Sequence, residues 1–269
     1  MGASFTYSRF RLLDLGGGAQ HFQSMSPSVS AKLPDTFLCV AGEMFLPTGQ
    51  GALWWERERT LVVSDLHFEK GSNFAARGQL LPPYDTGATL ALVEGLVESY
   101  RPKTVISLGD SFHDPQAEYR LGADAVTRIR RLTSSVEWYW VEGNHDPDPP
   151  AHLGGKGMKV LERGPCVFRH EPTGESGEIS GHLHPIARVG GRGRALRRKC
   201  FVTDGSALVL PSLGTFTGGL NVLDTAIAGL FRNGAMVFAV NGSRVHFVER
   251  AMLRPDRAVA GSSRAVWRL

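Results

Sequence analysis

Three apolar runs in the first half of the chain end in the same way, and that shared ending constrains the fold more than any other feature. Leu61-Val62-Val63-Ser64 runs into Asp65-Leu66-His67, Val105-Ile106-Ser107-Leu108 into Gly109-Asp110, and Trp140-Val141 into Glu142-Gly143-Asn144-His145-Asp146. Short β-branched and aromatic runs bounded by Gly, Asp and Asn read as buried strands. The predicted strands cover 61–64, 104–108 and 136–141. Between them, 86–100 and 117–131 carry apolar residues at helical spacing, such as Leu90, Val93, Leu96 and Val97. This alternation predicts two β-α-β units and a parallel sheet, and open α/β sheets place polar site residues at the C-terminal edge of their strands. Three polar endings on three parallel strands would meet at that edge.

After residue 159 the pattern changes. Short strands are predicted at 160–161, 166–169, 201–203, 207–210, 236–240 and 245–248, separated by Gly-rich turns, which suggests a mostly antiparallel second sheet. Two facing sheets, each with helices outside, would bury both sets of strands. With 42% of its 269 residues hydrophobic, the chain can build such a core. Gly16-Gly17-Gly18 and the serines of 24–30 interrupt any periodicity near the start. The reading is therefore a flexible N-terminal extension at 1–33, one domain at 34–252 and a basic C-terminal tail at 253–269. No stretch approaches the about 18 apolar residues of a membrane span. Cys39, Cys166 and Cys200 cannot all pair with one another, and each adjoins an apolar run, so buried free thiols and a reducing, cytoplasmic setting are expected.

The chemistry lies in the strand endings. In extended chain, residues i and i+2 project to the same side, so Asp65 and His67 can reach one ion; a surface Asp and His after a strand is the plain alternative. Asp110 ends the second strand. Asn144-His145-Asp146 ends the third, although Asn and Asp also favour turns for their own sake. Gly181-His182-Leu183-His184 repeats the i, i+2 arrangement with two imidazoles, and His170 follows the run 166–169. Asp65, His67, Asp110, Asn144, His170, His182 and His184 are too many donors for one ion, which takes about four to six, and suit two ions that share a carboxylate. Oxygen and nitrogen donors without thiolate suit manganese, iron or zinc and argue against a structural zinc.

In this order and spacing, DxH, GD, GNHD, H and GHxH resemble the motifs of the calcineurin-like metallophosphoesterase superfamily, over about residues 60 to 185. The resemblance implies a four-layer α/β/β/α sandwich with two facing mixed sheets and the dinuclear site at the strand C-terminal ends. It also implies that Asp65, His67, Asp110 and His184 hold one ion, and that Asp110, Asn144, His170 and His182 hold the other. His145 would face the scissile phosphate with Asp146 as its orienting partner, while a hydroxide bridging the ions attacks phosphorus. A narrower resemblance, over about residues 36 to 250, is to the ligase-associated DNA damage response endonucleases. It rests on Gly109-Asp110-Ser111-Phe112-His113-Asp114, His170-Glu171-Pro172, Thr217-Gly218-Gly219-Leu220-Asn221, Val40-Ala41-Gly42-Glu43 and Leu80-Leu81-Pro82-Pro83-Tyr84. That family implies a manganese-dependent DNA endonuclease encoded beside a ligase and a helicase. The long N-terminal extension departs from its core.

Lys and Arg exceed Asp and Glu by 30 to 26, a formal +4, which weakly favours an anionic substrate. Arg188, Arg192, Arg194, Arg197, Arg198 and Lys199 form an acid-free stretch whose centre reads as a flexible loop. They and Arg77 are candidate phosphate contacts, although charge runs are often only solvated. His113, three residues past Asp110, is a further candidate for phosphate contact, against a loop histidine capping its own turn. Trp54-Trp55 and Trp138-Tyr139-Trp140 offer rings to bases, but core packing is their commoner use. Together these point to a phosphodiesterase acting on single-stranded or distorted DNA in repair. The alternatives are a small-molecule phosphoesterase on the same metal core, and a non-catalytic nucleic-acid-binding protein.

Overall fold

A computed structural model describes residues 36–79, 84–190 and 195–256. The extension at 1–33, the tail from 257 onward, part of the Leu80 to Tyr84 motif, and Arg192 and Arg194 lie outside the described residues. The first sheet runs in chain order through seven strands: β1 (Leu38–Val40), β2 (Glu43–Pro47), β3 (Leu53–Trp55), β4 (Thr60–Val63), β5 (Thr104–Leu108), β6 (Glu137–Val141) and β7 (Lys156–Met158). Strands β1 to β4 form an antiparallel meander, and β4 to β7 are parallel. The parallel part is the expected one. The meander was not anticipated, because its strands are short and its first turn, Ala41-Gly42, looks polar only through the glycine. Both turn residues have positive φ, 49° and 83°, the geometry that matches the twist of a two-residue hairpin.

The second sheet contains β8 (Leu161–Arg163), β9 (Cys166–Phe168), β10 (Glu178–Ser180), β11 (Ile186–Gly190), β12 (Ala195–Thr203), β13 (Leu208–Val209), β14 (Met236–Asn241) and β15 (Arg244–Val248). Its order is β15-β14-β12-β13-β10-β9-β8, with β11 paired to β12. The sheet is mixed: β10 is parallel to both β9 and β13, and its other pairings are antiparallel.

Helices α1 (Lys70–Ala76), α2 (Asp85–Tyr100), α3 (Ala117–Arg120) and α4 (Ala123–Ser135) precede the second sheet in the chain, and α5 (Thr225–Ala228) falls within it. The single helix expected at 117–131 is broken into α3 and α4, because Leu121 is extended and Gly122, also extended, caps α4. Alternation along the strands divides the core. Leu61, Val63, Val105, Trp138 and Trp140 face α2 and α4 through Leu90, Val93, Leu96, Ile129 and Leu132. Val62, Ile106, Leu108 and Val141 face inward against Phe168, Ile179, Phe201, Leu208, Phe238 and Val240 of the second sheet. That sheet's other face, with Cys200, Val202, Val209, Val237 and Ala239, is covered by Val222, Ile227 of α5 and Phe231. This outer layer is thinner than the expected helical cover.

The four tryptophans at 54, 55, 138 and 140 are all core residues, 0 to 9% exposed, so base stacking is not their use. Cys166 and Cys200 are buried free thiols. Cys39 departs from expectation and is exposed, since it alternates with inward Leu38 and Val40 on an edge strand. Among the described residues no helix is long and apolar enough to cross a membrane.

Ile106 is fully buried where an interior strand of one sheet, β5, meets the inner face of the other. Ile106→Ala should lower unfolding stability by about 2–5 kcal/mol, read from a denaturant midpoint. A loss below about 1 kcal/mol would mean that the two sheets do not pack through this residue.

Candidate metal centre

The polar endings do meet. Past β4 and β5 the chain keeps hydrogen bonding as loops: Asp65 N donates to Gly109 O at 3.3 Å, His67 N to Asp110 O at 2.9 Å and Phe68 N to Ser111 O at 2.8 Å. From the second sheet, His170 follows β9 and His182 and His184 follow β10. Gly181 N donates to His170 O at 3.1 Å, which joins these two endings.

The local conformation differs from the extended chain expected at Asp65 and His67 and again at His182 and His184. All four are left-handed, with φ of 52°, 46°, 67° and 44°, and Asp110 is too, at 46°; Leu66 and Leu183 between them are not. Side chains two apart still converge, but through a repeatedly kinked backbone rather than a pleat. Asp and His tolerate this region better than most side chains, at a cost of about 1–2 kcal/mol each. Close approach adds a second constraint. A Cβ on Gly143 would lie 2.2 Å from Asp110 N and Oδ1, and one on Gly181 would lie 1.9 Å from Ser64 Oγ.

Two buried groups of donors result. In the first, Asp65, His67 and His184 bring one atom each within 4.8 Å of one another. His184 Nε2 is 3.0 Å from Asp65 Oδ1 and 3.3 Å from His67 Nε2. In the second, Asp110, His170 and His182 do the same. Here His170 Nε2 lies 3.3 Å from Asp110 Oδ2, 3.1 Å from His182 Nδ1 and 2.9 Å from Asn144 Oδ1. Asp110 Oδ2 is also 4.0 Å from His67 Nε2, so this carboxylate stands between the groups. All seven predicted donors are therefore brought together.

Ring nitrogens aimed at one another across about 3 Å suit a cation between them better than they suit each other. The field agrees. Burial would raise the Asp65 carboxyl, but the imidazoles of His184, His170 and His67 outweigh it and hold it at about 2. Burial keeps His67 well below the ordinary imidazole range and also lowers His182. His170 rises to about 9 because Asp110 and Asp65 overcome its burial. A site that draws a proton this strongly attracts cations, and a metal would displace that proton. The His170 ring is oriented by Nδ1, which donates to Leu108 O at 2.9 Å and turns Nε2 toward the donors. The residues present thus fit two divalent ions.

His145 stands beside Asp110, its N–H on Asp110 Oδ1 at 2.9 Å and its Nε2 3.9 Å from Asp110 Oδ2. Asp146 does not orient its ring as expected. His145 Nδ1 instead donates to the His113 carbonyl at 2.8 Å. Asp146 Oδ2 accepts from Ser111 N at 2.8 Å and Phe112 N at 3.1 Å, pinning the Asp110 turn, while its Oδ1 has no partner among the described residues. Burial and then Asp110 push the Asp146 carboxyl up to about 8. The chain bends at Asn144 and His145, so the side chain of Asp146 reaches the backbone of Ser111 and Phe112 instead of the ring. His113 stacks on His145, with centroids 5.3 Å apart and planes at 16°, and its other side faces Phe74 at 6.1 Å. Burial and then Lys70 and His145 lower the His113 imidazole to about 4.

The basic candidates fare less uniformly. Arg77 caps α1 at the surface. On either side of the centre read as a flexible loop, β11 and β12 pair, with Ile186 opposite Lys199 and Gly190 opposite Ala195, while residues 191–194 lie outside the described residues. On β11, Arg188 donates to Pro255 O, and Arg197 on β12 pairs with Asp256, so both hold residues 254–256 against the sheet. Lys199, read as one more surface cation, is half-buried, donates from Nζ to Ser212 O at 2.7 Å and Gly214 O at 2.9 Å, and is brought by burial to about 8. The signal was available: Lys199 shares a strand face with buried Phe201.

Comparison with known proteins agrees with this geometry. Residues 58–221 match the calcineurin-like phosphoesterase family, and the chain belongs to it, as a metal-dependent hydrolase of ester bonds. The crystal structure of Pseudomonas putida nuclease MPE is similar, with a TM-score of 0.62 and 27% identity, covering 79% of this chain and 99% of that one. Yfce, a phosphoesterase from E. coli, has a TM-score of 0.37 at 15% identity, covering 72% of this chain and 99% of its own. No curated protein matches the chain.

Because a Cβ at residue 143 collides with Asp110, Gly143→Ala should reduce hydrolysis of bis-p-nitrophenyl phosphate by about 100-fold or more, with circular dichroism unchanged. Near wild-type turnover would show that this approach is not needed.

Proposed function

We propose that this protein is a manganese-dependent DNA endonuclease that cleaves phosphodiester bonds in single-stranded or distorted DNA during repair. The observation that carries the reading is the pair of buried donor groups meeting at Asp110 beside His145, in a chain similar over nearly the whole length of a nuclease. Asp65, His67, Asp110 and His184 would hold one ion, and Asp110, Asn144, His170 and His182 the other. When bound, such ions activate water and neutralise charge on the phosphoryl oxygens.

The chain's own groups do the rest. His145, its Nδ1–H held by the His113 carbonyl, turns Nε2 toward the phosphodiester and, as an imidazolium carrying protons on both ring nitrogens, passes the Nε2 proton to the leaving oxygen. His113, kept neutral and stacked on His145, contacts the phosphate and limits the ring's movement. Asp146 positions the turn that carries Asp110 and His113. Arg77, Arg188, Arg192 and Arg194 contact the polymer backbone, so binding weakens as salt rises. The catalytic domain spans 34–252, between the extension and the basic tail, and the enzyme works in the cytoplasm with the ligase and helicase of the same repair pathway.

Purified protein with Mn²⁺ should nick circular single-stranded DNA and hydrolyse bis-p-nitrophenyl phosphate, and chelator should stop both. Hydrolysis of the dye while the circle survives would replace DNA with a small phosphoester as substrate. His145→Ala should lower DNA cleavage by about 10²- to 10⁴-fold with both metals still bound. Asp110→Ala should lose both metals, and two tightly bound ions in that variant would contradict the shared carboxylate.

A further inference from the structure

The segment from Ser212 to Gly219 is tied to the metal centre at both ends. Leu213 N donates to Ser64 O at 2.7 Å and Gly214 N to Asp65 O at 3.1 Å. Lys199 Nζ holds the carbonyls of Ser212 and Gly214. A Cβ on Gly214 would lie 2.3 Å from Leu66 O, and one on Gly219 would lie 1.9 Å from His184 O. The loop therefore bridges the backbones of Asp65 and His184, two donors of one group. Its crest is fixed too: Thr215 N donates to Thr89 Oγ1 at 3.2 Å, Thr215 Oγ1 to Asp85 O at 3.1 Å, and Thr217 Oγ1 to Gly214 O at 2.9 Å.

On that crest stands Phe216, 50% exposed and with φ of +56°. Both facts work against stability. A bulky side chain in the left-handed region is a true outlier, and an exposed ring gains little from burial. Gly or Asn would fit this position at less cost. Two residues span at most about 7 Å, so Phe216 is that close to the residue bonded to Asp65. Tyr84, next to Asp85 in the chain, is 73% exposed. Such outliers collect at ligand sites, where the surrounding structure holds a side chain in place for use.

We infer that Phe216 is a base-stacking residue: its ring receives an unpaired nucleobase beside the scissile phosphate and so selects single-stranded nucleic acid over small phosphoesters. This rests on the endonuclease reading and adds the part of the substrate that the metals do not touch. A ring accepts any base face, so stacking adds affinity without sequence preference, and paired bases in a duplex present no free face.

The test compares a 24-mer of thymidylate with a 24-mer of abasic tetrahydrofuran units, which has the same phosphates and no bases, under Mn²⁺ with wild type, Phe216→Ala and Phe216→Asn. Wild type should cleave the base-containing strand with kcat/KM about 5- to 150-fold higher, mostly through KM. In both variants that preference should shrink at least about threefold, and Phe216→Asn should melt no lower than wild type because it relieves the strained φ. Equal preference in wild type and variants, or none in wild type, overturns the role of Phe216 while endonuclease activity stands. Cleavage of neither strand by a wild type that hydrolyses bis-p-nitrophenyl phosphate overturns the endonuclease reading itself, and the stacking role falls with it.

Discussion

A buried carboxylate facing several imidazoles, with no lysine or arginine among the described residues bonded to it, sets the terms for everything around it. Asp110 is 2% exposed, its Oδ1 takes the His145 N–H, and its Oδ2 looks toward nitrogens of His170, His67 and His145. An ionised carboxyl at that depth costs several kcal/mol unless a cation answers it. Here the answering charge is a proton on His170 or a metal between the donors, and the second satisfies more lone pairs at once. The glycines at 143 and 181 follow from this requirement, since each clears the space that a carboxylate and its neighbours need.

The same requirement explains why the backbone is strained where it is. The donors must converge on the centre within two to four residues of leaving their strands, and a pleated chain cannot turn that fast. Five left-handed Asp and His residues do it. The strain, about 1–2 kcal/mol per residue, is borne by strands whose endings are already immobilised. β4 and β5 are buried on both faces, and their loops continue the parallel hydrogen bonding from Asp65 to Phe68.

What could be read from the sequence follows the range of each signal. The parallel strands were legible because Val62, Ile106 and Val141 lie in apolar runs buried on both sides, and the donors because Asp and His stood directly at the ends of such runs. The meander was not, since Leu38–Val40 and Leu53–Trp55 are three residues each and too short to show a period. Alternation was present in the arginine-rich stretch, but its charge masked the hairpin, and the partners of Arg188 and Arg197 lie almost 60 or more residues away. Asp146 was misassigned to the His145 ring because neighbouring positions in sequence imply nothing about direction once the chain turns. Phe216 carried no signal at all, because exposure and a positive φ belong to the folded chain alone.

Neither sheet owns the centre. Asp65, His67, Asp110 and Asn144 come from the first, and His170, His182 and His184 from the second, so each donor group exists only while the inner faces are packed through Ile106, Leu108, Phe168 and Ile179. Any ion held by both sheets binds the docked form alone and stabilises it by mass action. Packing therefore sets the spacing of the donors, and the ions in turn offset the strain and the buried charge that the spacing creates. The loop from Ser212 to Gly219 extends the same logic outward: it leaves the second sheet after β13, bonds to Ser64 and Asp65 of the first, and is locked by Lys199 from beneath. Its exposed crest is thus as firmly placed as the donors, which is the condition for a surface residue to act in register with chemistry it does not itself perform.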